Sequence, residues 1–312
     1  MRKKNRLGQS CFLLFTGLLL FFGTALRIPA QTTGNADGSW LQELLKERQQ
    51  KDSEFKTDAT SPMAGSIRLT VSAKEKTYIA VGAGVVSLQP QAGTGTVFAV
   101  SSREGKWYWH AAAGTVSCSQ GERAVISDVD ALTPGSLFKV DRFTLAVYPG
   151  PDTLALIVFD PQRKQQLSFE QLLYFPPDPA YAVKARLEKF PEKREVKIIT
   201  TRKLEKTFYR YGRVHFQLLG RELELTALKS SLEGPDSNTL FIPFKDDTNG
   251  KESYEVGRFL DVPEPVAEEF VLDFNRCYNP LCNYSPAYNC PLPPLENFLD
   301  IAVPAGEKAY PH

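Results

Sequence analysis

Hydrophobic and polar positions change rhythm three times along this chain of 312 residues. Residues 11–26 are almost continuously apolar and follow the basic residues Arg2, Lys3, Lys4 and Arg6. Trp40, Leu41, Leu44 and Leu45 then recur at helical spacing, which puts them on one face of a helix. Ser39, with Gln42 three residues on, predicts a capping box at the start of that helix. Residues 51–63 read as a loop. From Ser66 the apolar period shortens to two. Short β-branched and aromatic segments at 66–71, 77–81, 96–100, 106–110, 137–140, 143–148 and 153–159 are punctuated by Gly and Pro. A second series runs over 196–201, 207–211, 214–219, 222–227, 239–244, 252–260 and 270–274.

That spacing predicts antiparallel hairpins, not βαβ units. Between the two series, Asp178 and Pro179 predict a short helix ending before Pro191, with Asp as cap and Pro at the first position. Asn249-Gly250 predicts a hairpin turn, because the pair favours positive φ. The expected fold class is mainly β: antiparallel sandwich- or barrel-like strands, an N-terminal amphipathic helix and an irregular Cys/Pro-rich C-terminal segment. Four stretches follow: a signal peptide at 1–30, a flexible lead and helix at 31–65, a first β part at 66–175 and a second at 176–312.

The leader changes how the cysteines read. Its basic, apolar, small-residue order, closing on Ile28-Pro29-Ala30, is that of an export signal, with Gln31 as the mature N-terminus. The apolar run is short for a bilayer span and contains Gly17 and Gly23. No later segment is long and apolar enough to span, so no membrane span is expected after signal removal. The expected location is periplasmic or extracellular, where disulfides persist. Cys118, Cys277, Cys282 and Cys290 then remain, and four cysteines allow three pairings. The short interval favours a Cys282–Cys290 bridge, which would contribute roughly 2–3 kcal/mol by loop entropy. Cys118–Cys277 would be the complementary pair. A zinc site needs four ligands, typically in close pairs. Cys282 and Cys290 lack that spacing, and His110, His215 and His312 lie in no motif.

Charge excludes further classes. Lys plus Arg number 37 against 36 Asp plus Glu. The two signs are interspersed, so no nucleic-acid footprint forms. The locally basic stretch 184–206 is interrupted by Glu188, Glu192, Glu195 and Glu205, as on a solvated face. Phosphate loop, dinucleotide fingerprint, serine elbow and metalloprotease helix are all missing, so no cofactor or metal is expected. The run Asp246-Asp247-Thr248-Asn249-Gly250 fails as a calcium loop, since placing Gly250 at position six puts Lys245 at one and Val256 at twelve. Trp107 and Trp109 share one strand face, which suits a sugar-stacking platform or, more commonly, a core.

Candidate chemistry concentrates in residues 270–308, dense in Asp, Asn, Tyr, Cys and Pro. Asp273 and Asn275 face one side of a strand end together. Asp247, Asp273, Glu296 and Glu307 could act as acid–base carboxylates beside Arg258. The same residue types also build Asx turns and Arg–carboxylate clamps. Cys282 as a nucleophile would need a base, and His215 lies far upstream. The expected site is a polar pocket formed by Asp247, Tyr254, Arg258, Asp273, Asn275, Tyr278, Asn279 and Glu307. Its ligand would be a small molecule or a glycan. The alternatives are a hydrolase using Asp247, Asp273 or Glu307, and a structural lid with no ligand.

Two blocks carry a resemblance. One comprises Asp273-Phe274-Asn275, Tyr278-Asn279-Pro280, Cys282, Cys290-Pro291-Leu292-Pro293-Pro294, Asn297 and Ala305-Gly306-Glu307. The other comprises 244–250, Ser253-Tyr254 and Gly257-Arg258-Phe259. Together they resemble the signature of domain-of-unknown-function family 1684. That pattern usually has Ala where this chain has Cys277, and Pro where it has Leu281. The resemblance implies a shared fold and a shared site, and supplies no activity.

Overall fold

A computed structural model describes residues 36–112 and 116–311. The expected signal peptide and the Gln31 terminus lie outside the described residues. Helix α1 covers Ala36–Thr57. Ser39 is therefore inside the helix rather than capping it, and the loop expected from residue 51 begins only after Thr57. The buried side of α1 explains the extra turns, because Phe55 is buried as deeply as Leu44. Leu41 and Leu45 stay exposed, so the apolar face read from the sequence is only partly the docking face.

Ten strands follow: β1 (Gly65–Ser72), β2 (Thr77–Gly82), β3 (Val85–Gln89), β4 (Thr96–Arg103), β5 (Lys106–Ala111), β6 (Ser117–Gln120), β7 (Arg123–Ala124), β8 (Leu137–Val140), β9 (Phe143–Pro149) and β10 (Thr153–Phe159). They form two antiparallel sheets, ordered β3-β2-β4-β5 and β1-β10-β9-β8-β6-β7. Ile79, Val100, Leu145 and Leu156 fill the space between, around Phe98 stacked on Phe138 at 4.1 Å. Trp107 and Trp109 belong to this core. Their indole N–H groups donate to the carbonyls of Gly150 (2.8 Å) and Val125 (3.1 Å). Buried and paired in this way, they offer no sugar platform.

The second β part is one six-stranded antiparallel sheet. Its strands are β11 (Ala182–Ile199), β12 (Glu205–Leu218), β13 (Arg221–Lys229), β14 (Thr239–Phe244), β15 (Arg258–Pro263) and β16 (Glu269–Asp273), in the order β15-β14-β13-β12-β11-β16. The helix expected after Asp178 shrinks to a 3-10 turn at Pro179–Tyr181, capped by the Asp178 carboxylate on the Ala180 N–H at 2.9 Å. Strand β11 starts at once because Ala185 and Leu187 alternate inward and the chain pairs with β16, Ala185 facing Phe270. Pro191 falls inside the register shift between Lys189 and Arg194, where its missing N–H removes no ladder bond. The expected segments 207–211 and 214–219 fuse into β12. Between them, Gly212 permits close approach to β11, since a Cβ there would meet the Glu188 carbonyl at 2.6 Å.

Asn249-Gly250 does turn tightly, with Gly250 at φ 76°. It lies within an irregular link, 245–257, that joins the antiparallel partners β14 and β15, so the hairpin is closed by a long connection and the strand expected from 252 begins only at Arg258. The competing interactions are side-chain ones. Asn249 Oδ1 accepts the Asp246 N–H at 2.7 Å, and its Nδ2 donates to the Tyr254 carbonyl at 2.7 Å.

The two β parts share a core. Ala146, Ile157 and Phe159 from the first meet Phe208, Phe241, Phe259 and Tyr288 from the second. No helix among the described residues is long and apolar enough to cross a membrane. Cys118, Cys277, Cys282 and Cys290 are all free thiols. The expected Cys118–Cys277 bridge is not formed, because the two residues sit in separate cores. The Cys282–Cys290 bridge is not formed either, although the two side chains are neighbours.

Candidate functional site

Arg258 opens β15 and is completely buried. Its guanidinium donates to Asp246 Oδ2 at 2.6 Å, to the Val303 carbonyl at 2.8 Å and to the Ala305 carbonyl. The rings of Phe175 and Phe244 lie 5.7 and 5.5 Å from its centre. Asp246 returns the clamp through Oδ1, which accepts the N–H groups of Thr248 (2.9 Å) and Val303 (3.1 Å). The sequence pointed to Asp247 for this place, but Asp247 is exposed. A carboxylate that must reach the amide two residues on faces inward, and here that residue is Asp246. The Asp-x-Thr pattern of an Asx turn was the available signal.

Glu307 is buried two residues beyond Ala305 in the same irregular tail. Its Oε2 accepts the Asn279 N–H at 2.8 Å and the Tyr284 hydroxyl at 2.7 Å, and its Oε1 pairs with Lys51 of α1. Lys51 also lies over the Tyr278 ring at 4.9 Å. One turn back, Arg48 donates to the carbonyls of Phe175 (3.0 Å) and Asn275 (3.2 Å), and stacks on Tyr174 at 4.4 Å. Asp52 accepts the Leu172 N–H at 2.9 Å. Burial pushes the Asp52 carboxyl up, with the Glu307 charge adding to it. Arg48, Lys51, Asp52 and Phe55 recur at three, four and seven residues, the spacing of a single helix face. That face was hidden while residues 51–63 were read as loop.

Asp273 and Asn275 work as chain organisers. Asp273 Oδ1 caps the following turn through the Asn275 N–H at 3.0 Å, and its Oδ2 accepts the Trp40 indole N–H at 2.8 Å. Asn275 clips Asp178 by both edges, accepting its N–H at 2.9 Å and donating to its carbonyl at 2.8 Å. Tyr278 donates to Asp261 Oδ2 at 2.6 Å. Burial pushes the Asp261 carboxyl up to about 6 against that hydrogen bond, and its Oδ1 has no partner. Asn279 Nδ2 donates to the Lys308 carbonyl at 2.7 Å. Tyr254 sits apart from Glu307 and donates to Cys282 Sγ at 3.6 Å.

The structure thus joins Arg258, Asn279 and Glu307 through the tail, and Asp273 and Asn275 through α1. The Asp247 side chain is exposed, although its N–H donates to the Ile301 carbonyl of the tail at 2.9 Å. Glu296 is elsewhere, paired with Arg210 at 2.8 Å on the surface. The motif side chains bond chiefly to one another and to the tail backbone, with Arg258 Nε and Asn279 Oδ1 buried and unpartnered, an arrangement that braces the chain. Among the described residues no cluster of His, Cys, Asp and Glu has the make-up of a metal site.

An open groove of about 360 Å³ lies beside the brace. Val196, Ile198 and Leu228 form its floor, and 292–295 form one wall, with Arg210 and Glu296 at the rim. Asn297 holds that wall by donating to the Thr226 and Pro243 carbonyls at 2.9 and 2.8 Å.

A second arrangement escaped sequence reasoning. On the β4–β5 pair, the Ser101 hydroxyl meets His110 Nε2 at 2.6 Å, and His110 Nδ1 meets Asp128. The order matches nucleophile, base and orienter. Asp128, however, is 63% exposed, so water competes for the contact that would hold the imidazole.

Comparison with known proteins agrees with the C-terminal motif. The family described as "Protein of unknown function (DUF1684)" matches residues 167–308. A solution structure of an uncharacterized protein from Haloarcula marismortui is 36% identical over 46% of this chain and 80% of that chain, with a TM-score of 0.40. Among curated proteins no significant match is found.

Proposed function

We propose, from the premise that residues 167–308 belong to the DUF1684 family, that this region is a binding module for a small ligand with an apolar body and one polar end. The groove against β11 and β12 carries the reading. Its volume of about 360 Å³ lies within the range of small-molecule sites, roughly 300–1,000 Å³. Its floor is aliphatic and its rim holds the Arg210–Glu296 pair. All of its lining residues fall within the family segment. No aromatic ring lines it, so a glycan, which stacks on such rings, has less support than an apolar molecule.

The hydrolase alternative is disfavoured by the bonding of its carboxylates. Asp273 and Glu307 each hold backbone and side-chain donors, and Asp247 is exposed. In this reading the motif keeps the groove wall in place. Titration with anilinonaphthalene sulfonate tests it. Saturable fluorescence that is lost in Val196→Trp, at a partly exposed position, and in Leu295→Asp, at an exposed one, supports the groove. Binding that is unsaturable, or equal in those variants, refutes it.

Export belongs to the same proposal. The order of charges and apolar residues in 1–30 supports a location outside the cytoplasm. Mass spectrometry of exported protein beginning at Gln31 would agree with it, and retained Met1 would overturn it. In an oxidising compartment the adjoining Cys282 and Cys290 thiols would be able to close into a bridge.

A further inference from the structure

We infer that Cys282 and Cys290 form a redox-active dithiol that exchanges electrons with accessible disulfide bonds, Cys282 attacking and Cys290 resolving. The inference does not rest on the groove.

The fold holds the Cys290 side chain against the Cys282 backbone. The Cys282 N–H donates to Cys290 Sγ at 3.3 Å. The Cys290 N–H donates to Thr201 Oγ1 at 3.2 Å, which ties it to the end of β11. The intervening loop is pinned twice: Ser285 Oγ donates to the Gly65 carbonyl at 2.7 Å, and Arg202 donates to the Pro286 carbonyl at 3.0 Å. Closing a bridge requires the two side chains to turn until their sulfurs reach bonding distance, across a loop whose backbone is already pinned.

Access divides the roles. Cys282 is partly exposed whereas Cys290 is buried, so an external disulfide reaches Cys282 first. The Tyr254 hydroxyl, 3.6 Å away, points at the same sulfur. Donation from the Cys290 thiol lowers Cys282 below the ordinary thiol range, with Tyr254 and Thr201 adding to it and burial opposing. Cys290 moves the other way, as the donor to a neighbouring thiolate and through burial. Cys118 has no such donor, and for Cys277 the Glu307 N–H and the Arg258 charge do not offset burial. Burial pushes them up to about 12 and about 11, as for inert core thiols.

The chemistry balances within the pair and its substrate. The Cys282 thiolate attacks one sulfur of a substrate disulfide. That S–S bond breaks, and the second substrate sulfur leaves as a thiolate and takes up a proton. Cys290 then gives up its proton and attacks Cys282 Sγ. The mixed disulfide breaks and the remaining substrate thiol departs. The substrate has gained two electrons and two protons, and the pair has lost them. A substrate dithiol drives the same steps in reverse.

Glutathione disulfide is the probe, with peptide mapping after acid quench and alkylation. The wild-type protein, reduced and then exposed to it, should show Cys282 and Cys290 oxidising together, with Cys118 and Cys277 still alkylated. Cys290→Ser should instead accumulate glutathione on Cys282, and Cys282→Ser should capture none. Tyr254→Phe should slow alkylation of Cys282 at neutral pH and move its pH profile upward. Two outcomes overturn the inference. One is a Cys282–Cys290 bridge that resists dithiothreitol in the folded protein, which is a permanent staple. The other is a pair of thiols that remain alkylatable in excess glutathione disulfide. The wild-type experiment decides between these outcomes even if a variant fails to fold.

Discussion

Arg258 and Asp246 form an ion pair with both side chains wholly removed from solvent, Nη2 to Oδ2 at 2.6 Å. The pair carries two backbone segments with it. Arg258 binds the carbonyls of Val303 and Ala305, and Asp246 binds the amides of Thr248 and Val303. The C-terminal tail is therefore fastened to the start of β15 through charge-assisted bonds.

Removing one member leaves the other charge buried. Arg258→Ala and Asp246→Ala should each destabilise the protein by about 3–5 kcal/mol. Asp247→Ala, at the exposed neighbour, should stay within about 0.5 kcal/mol of wild type. Urea denaturation of the three variants checks the contrast. Equal effects at Asp246 and Asp247 would contradict the clamp.

Glu307 and Lys51 provide a second coupling, between the tail and α1. Glu307→Gln keeps the shape but removes the charge that pairs with Lys51 and places an amide where three donors converge. It should cost about 2–4 kcal/mol. Lys51→Met in that background should cost much less than it does in the wild type. A double-mutant cycle by thermal or urea unfolding measures the coupling. Additive effects would show that the pair contributes nothing.

Asp261 predicts a pH dependence. Its folded carboxyl is raised to about 6, whereas an unfolded Asp titrates near 3.9. Between those values the folded state holds the extra proton, so this group's contribution to stability falls as pH rises from about 4 to about 6. It is then level at the lower value. Asp261→Asn should remove that slope and gain about 1–3 kcal/mol relative to wild type at pH 7 compared with pH 4. Denaturation midpoints at several pH values test it, and parallel profiles for the two proteins would rule it out.

Ser101 should not behave as a catalytic serine. Its hydrogen-bond chain ends on the open carboxylate of Asp128, where water competes for His110. A fluorophosphonate probe should leave Ser101 unlabelled under conditions that label a serine esterase. Stoichiometric labelling that disappears in His110→Ala would reverse this view.

Parts of this were legible from residue order alone. The strand pattern at 137–140 and 153–159 matches β8 and β10 residue for residue, since alternation there faces one core and turns flank it. The irregular tail was legible because its prolines and asparagines exclude regular pairing, and Arg258 and Glu307 stood out as charges that such a segment would have to satisfy. Export was also a sequence-level expectation, carried by 1–30.

Other features depended on partners far away in the chain. Asp178-Pro179 has the chemistry of a helix start, and local propensity cannot register that Ala185 will find Phe270 across a ladder. Asp246 and Asp247 are equal as residue types, and only the approach of Val303 and Arg258 selects one for burial. The polar face of α1 carries Arg48, Lys51 and Asp52, which hydrophobic periodicity assigns to water. Tertiary packing partly buries them because the tail presents Glu307, and the segment before β11 presents the Phe175 carbonyl and the Leu172 amide. Alternation, turn chemistry and composition act over a few residues, so the sequence by itself determined the β class and the irregular tail. Pairing of charges and closeness of thiols are settled by contacts between distant segments, and those only the folded chain decided.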